Sequence, residues 1–81
     1  MKLILTFANT HIVLKAEEVL KNAGLDFRLD PAPKSITTAC ELVISINDDV
    51  FETVIAVLKG ADISYDGVYR KRDSDYDKFV T

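Results

Sequence analysis

Cys40 is the only cysteine of the chain, and a thiolate is among the strongest nucleophiles a side chain can offer near neutral pH. It follows a small, hydroxyl-bearing stretch, Ser35-Ile36-Thr37-Thr38-Ala39, and directly precedes an apolar run, Leu42 to Ile46. At the mouth of a strand such a thiol can act as a reagent; packed into a core it is a small hydrophobe. His11, the only histidine, can hydrogen-bond a thiol or move its proton, or it can simply be a surface residue in the first turn of a helix. One cysteine and one histidine cannot build a four-ligand zinc centre within a chain. The three glycines are isolated, so there is no phosphate-cradling loop. No metal or cofactor is expected. Asp48-Asp49 and Glu17-Glu18 read as helix capping and a solvated face rather than as paired acid–base carboxylates.

The elements that must position Cys40 follow from periodicity. Lys2 to Phe7 is β-prone, with Leu3, Leu5 and Phe7 on one face. From Thr10 the spacing becomes helical through Ile12, Val13, Ala16, Val19, Leu20 and Ala23. Asn9 or Thr10 can cap that helix, and Gly24 supplies a left-handed stop. Asp26 to Asp30 alternates as a second strand that Pro31 and Pro33 terminate. Glu41 to Ile46 is a third strand. Asp49 and Glu52 have capping-box spacing ahead of a second helix, whose inward stripe is Phe51, Val54, Ile55 and Leu58 and which Gly60 ends. Ile63 to Tyr69 reads as a fourth strand with Gly67 as a bulge.

This βαββαβ order, with two right-handed crossovers, predicts an α+β ferredoxin-like fold: a four-stranded antiparallel sheet with both helices on one face. Residues 1–70 form the single domain, and the polar stretch 71–81 reads as a flexible tail. Eighty-one residues with 48% hydrophobic content suit one two-layer core. A single cysteine excludes an intrachain disulfide framework. The short apolar start, Met1 to Leu5, is too brief for a signal peptide or a membrane span, so a cytoplasmic setting is expected. A net charge of −3 has the wrong sign for a protein that grips phosphate backbones. The outward positions of the central strands, Ile4, Thr6, Val43 and Ser45, offer no base-stacking aromatics. Neither nucleic acid nor membrane is expected as a partner. Ile4 and Val43, with Val68, make that face apolar enough to suit a homodimer or a docking enzyme.

In this topology the first strand ends at the edge where the first helix and the third strand begin. Cys40 is therefore expected beside Ala8-Asn9-Thr10-His11, facing the helix layer in the register of Leu42 and Ile44. Asn9, Thr10, His11, Thr37 and Thr38 are the candidate binding residues around it. A helix dipole contributes about 0.3–1 kcal/mol, less than about one pKa unit. Direct N–H hydrogen bonds or a charged His11 would be needed to activate the thiol, and Glu41 opposes activation.

These residues in this order resemble the selenium/sulfur (Se/S) carrier protein-like family of small bacterial and archaeal proteins. The resemblance covers roughly residues 1 to 70. It rests on the strand ending in Phe7, then Thr10-His11, Ala16-Glu17, Ala23-Gly24 and Phe27-Arg28. It continues through the Pro31-x-Pro33 loop into Ile36-Thr37-Thr38-x-Cys40, and closes on Gly67-Val68-Tyr69. The resemblance implies that Cys40 transiently holds a persulfide or selenosulfide, taken from a cysteine desulfurase-like donor and passed to a sulfur- or selenium-accepting protein. The chain would then be a carrier and not an enzyme with turnover of its own. Glu41 stands where the family usually has glycine. The alternative is a small regulatory or interaction module that binds a metabolite or partner through its sheet face, with Cys40 structural.

Overall fold

A computed structural model describes residues 1–73 and 75–79. The elements are β1 (Lys2–Thr6), α1 (Thr10–Asn22), β2 (Arg28–Pro31), β3 (Leu42–Asn47), α2 (Phe51–Gly60), β4 (Gly67–Arg72) and β5 (Asp75–Lys78). The sheet is antiparallel throughout, in the order β2-β3-β1-β4-β5. The first four strands thus have the expected order.

Alternation decides what the sheet covers. Leu3 and Leu5 of β1 lie opposite Ile46 and Ile44 of β3, and Leu5 lies opposite Val68 of β4. All five are buried in one cluster with Val13, Ala16 and Leu20 of α1 and with Val54 and Leu58 of α2. Each such aliphatic side chain contributes about 1.5–3 kcal/mol when fully buried. Gly24, at φ +74°, supplies the left-handed residue after α1, as its position predicted. At the end of α2 the left-handed residue is Asp62 (φ 60°), while Gly60 is still helical. A single 3₁₀ turn at Asp48–Val50 precedes α2, which begins without a side-chain cap. The expected Asp49–Glu52 capping box is therefore not formed. Gly67 pairs regularly with Thr6, so it is not a bulge.

The sheet has five strands, not four. β4 continues to Arg72, Asp73 turns the chain at φ 43°, and β5 returns beside β4. The stretch read as a polar tail therefore supplies the end of β4 and all of β5; Ser74, Val80 and Thr81, also part of that reading, lie outside the described residues. Its charges look self-neutralising along the chain but pair across strands. Arg70 faces Asp77 and Arg72 faces Asp75 in the ladder, and Arg72 bonds Asp77 at 2.7 Å with Arg70 at 3.5 Å. Phe79 then meets Phe51 edge-to-face, ring centroids 5.6 Å apart. Its N–H donates to the carbonyl of Val68 at 2.8 Å.

Two outcomes are expected from this hairpin. In a double-mutant cycle of Phe51→Leu and Phe79→Leu, urea unfolding should show a coupling of about 0.5–1.5 kcal/mol; no coupling would mean that the ring does not dock. The hydrogen bond from Arg72 holds the Asp77 carboxyl below its ordinary range, against the opposing effect of desolvation. Its contribution is present at neutral pH and is lost as pH falls through that lowered value. Amide protection factors in β4–β5 should accordingly drop in acid before those of β1–β3.

Candidate functional site

The Cys40 site forms where three segments meet at one edge of the sheet. β1 delivers the chain into α1, whose Asn9 carboxamide accepts the Ile12 N–H at 3.0 Å. Asn9 is thus the cap, and Thr10 is released for another task. The Thr10 hydroxyl accepts the Glu41 N–H at 3.4 Å and lies 3.8 Å from the Cys40 sulfur. The third segment is the β2–β3 connection. Ala32 N–H donates to the Glu41 carbonyl at 2.9 Å, and both Ile36 and Thr37 N–H groups donate to the Pro33 carbonyl. The Thr37 hydroxyl accepts the Ala39 N–H at 3.3 Å. Prolines and local hydroxyl turns therefore fix this loop, and it ends by presenting Cys40 to the start of α1.

Cys40 is buried, with 5% of its surface exposed, and belongs to the same core cluster as Ile44 and Phe7. Its thiol donates to the Leu42 carbonyl at 3.0 Å. Among the described residues no backbone N–H of α1 donates to the sulfur. The geometry is that of a sheltered thiol hydrogen-bonded to a main-chain acceptor.

Of the predicted neighbours, Thr10 reaches the sulfur. Asn9 is committed to its cap, and His11 is exposed on the first turn of α1, with no hydrogen bond to Cys40. Thr37 and Thr38 line a cleft of about 460 Å³ with Cys40, Glu41, Pro31, Ala32 and Lys34. Lys34 is the residue that sequence reasoning passed over. Its signal was available: it is the only basic residue between Arg28 and Cys40. Glu41 is exposed at the same rim, so the cleft carries one charge of each sign.

The sequence pattern of the family described as "Putative Se/S carrier protein-like" matches residues 2–70. The chain belongs to that family. The match takes in both helices, the first three strands, most of β4 and the Cys40 loop. There is no significant match among curated proteins or among solved structures.

Removing the Thr10 hydroxyl separates its role from helix capping. Thr10→Val should speed alkylation of native Cys40 several-fold and cost about 0.5–1.5 kcal/mol of stability. Asn9→Ala should cost about 0.5–2 kcal/mol and leave the alkylation rate, corrected for global unfolding, unchanged.

Proposed function

We propose that this protein carries sulfur or selenium on Cys40 between a donor and an acceptor protein. What supports the reading is the coincidence of family membership with the chain's sole thiol lining a surface cleft. The Pro31–Glu41 loop would provide the docking edge for a cysteine desulfurase-like donor. Thr10 would flank the sulfur on the other side, with Asn9 and His11 beside it at the start of α1, and Thr37 and Thr38 would line the approach.

The transfer balances without an external oxidant. The Cys40 sulfur attacks the outer sulfur of a donor persulfide. The Sγ–S bond forms as the donor S–S bond breaks, and the thiol proton passes to the departing donor thiolate. Cys40 leaves as a persulfide, and the acceptor's thiolate takes the outer sulfur by the same exchange. A donor holding selenium in the outer position follows the same course. The protein contributes no catalytic turnover of its own in this scheme. Its one unpaired cysteine suits the reducing cytoplasm. No helix among the described residues is long and apolar enough to cross a membrane.

Burial of Cys40 imposes a condition on that scheme: the Sγ–H···O=C bond to Leu42 must open before the sulfur can be reached. Partner docking against the loop would supply the opening. The same 5% exposure favours a second reading, in which Cys40 is structural and the protein is an interaction module.

Intact mass after incubation with a cysteine desulfurase and cysteine separates the two. A reductant-sensitive gain of one sulfur atom, lost in Cys40→Ser, is the expected result. A chain that gains nothing, and whose Cys40 reacts with alkylating agents only after unfolding, would establish the structural reading.

A further inference from the structure

The sheet face away from the helices carries a charge pattern opposite to that of the whole chain. One row across it reads Arg28, Ser45, Ile4, Tyr69 and Lys78. Just past the Leu3–Arg70 pair, where the β1–β4 ladder ends, Lys2 of β1 and Lys71 of β4 both turn to this open face and line one groove. Tyr76 follows on β5. Like charges on one face of neighbouring strands repel, and among the described residues neither lysine has an ion-pair partner. Both lysines line a concave groove of about 350 Å³ whose floor includes Ile4 and Val43 and whose side is formed by Tyr76. That volume lies in the small-molecule range.

The groove has a second pole. Asp30 accepts from the Ser45 hydroxyl at 2.6 Å and from Arg28 at 3.2 Å. Those two bonds hold a carboxylate in the groove lining, across the floor from the lysines. A bare anion would gain from Lys2 and Lys71 but could accept nothing from that carboxylate, whose charge Arg28 offsets. A ligand that is anionic at one end and bears hydroxyl or amino donors at the other satisfies both poles.

We propose that this groove binds a small organic phosphate with a hydroxyl-bearing body, such as a nucleotide or a sugar phosphate. Lys2 and Lys71 receive the phosphate as paired point charges. Ile4, Val43 and the Tyr76 ring cover the body, and Asp30 accepts from its hydroxyl groups. Gly67 keeps the adjacent face low: a Cβ there would stand 3.3 Å from the Tyr69 ring and 3.4 Å from the Thr6 hydroxyl. The site is separate from Cys40 and does not depend on its role in sulfur transfer.

The test is an amide-resolved NMR titration of the full chain with ADP at low ionic strength, with pyrophosphate, oligothymidylate and an oligoglutamate peptide as comparisons. Saturable shifts centred on Lys2, Ile4, Ser45 and Lys71 are expected with ADP, and weaker binding with pyrophosphate. Lys71→Thr should weaken ADP binding at least tenfold, whereas Lys21→Ala, on α1, should not. Without ligand, Lys71→Thr should raise the unfolding temperature by relieving repulsion from Lys2; if that variant fails to fold, Lys2→Thr serves in its place. Failure to saturate at millimolar ADP, tighter binding of the oligonucleotide or the acidic peptide at the same residues, or a lowered unfolding temperature would each overturn the proposal.

Discussion

The register between β1 and β3 is the constraint on which the rest of the molecule depends. Leu3 against Ile46 and Leu5 against Ile44 place four large aliphatic side chains on the helix side of the two central strands. A slip of one residue would turn them to solvent and bring Ile4, Thr6, Val43 and Ser45 beneath the helices. The buried hydroxyls would then face an apolar layer without Asp30, which satisfies Ser45 in the observed register. This pairing also decides where chemistry can occur. Because β3 starts beside the end of β1, the residue two before Leu42 is carried to the first turn of α1. Cys40 and Thr10, thirty positions apart in the chain, become neighbours through backbone pairing elsewhere.

That placement creates a tension between shelter and reactivity. The sulfur takes up the packing role open to any buried cysteine and donates a hydrogen bond to a main-chain oxygen. A sulfane sulfur held there would be protected from stray thiols, a useful property in a carrier, whereas an open thiol would lose its cargo to exchange. The shelter is also thin. Cys40 lines the cleft, and the loop over it is tied by local hydrogen bonds to the Pro33 carbonyl and by the Ala32–Glu41 pair. Beyond these ties, its exposed residues, among them Thr38 and Ala39, are not part of the core. A partner that engages the loop has little apolar surface to displace.

Much of this was legible in the sequence because each signal was local. Alternation in Leu3-Ile4-Leu5 and in Leu42 to Ile46, helical spacing from Thr10, and Gly24 as a left-handed stop give four strands in the observed order. The meeting of the Cys40 loop with Thr10 follows from that order alone. The signals that failed were the ones that tertiary pairing can cancel. Arg70 to Asp77 looks like a solvated run until β5 sets opposite charges across from each other. The division of labour between Asn9 and Thr10 could not be read, since either residue type can cap. The cap went to Asn9, whose backbone is extended, because Thr10 is already the first helical residue; its hydroxyl accepts the Glu41 N–H instead. His11 had the right chemistry at the wrong angle: one residue on from Thr10 around a helix, it points to solvent.

The fifth strand also changes the balance of the sheet. On a four-stranded sheet, β4 would be an edge, and Lys71 would be one of the outward charges that keep edges from pairing with other chains. With β5 in place β4 is internal, and a lysine on the same face as Lys2 no longer serves that purpose. The hairpin divides its own charges by face. Arg70, Arg72, Asp75 and Asp77 neutralise one another on the helix side, while Lys71 and Lys78 are left on the open side with Tyr69 and Tyr76. An acidic protein thereby keeps one basic face, and it does so at the cost of a repulsive pair that a neutral residue at position 71 would remove. Folding alone does not call for two lysines on this face; an anion bound between them would offset their repulsion.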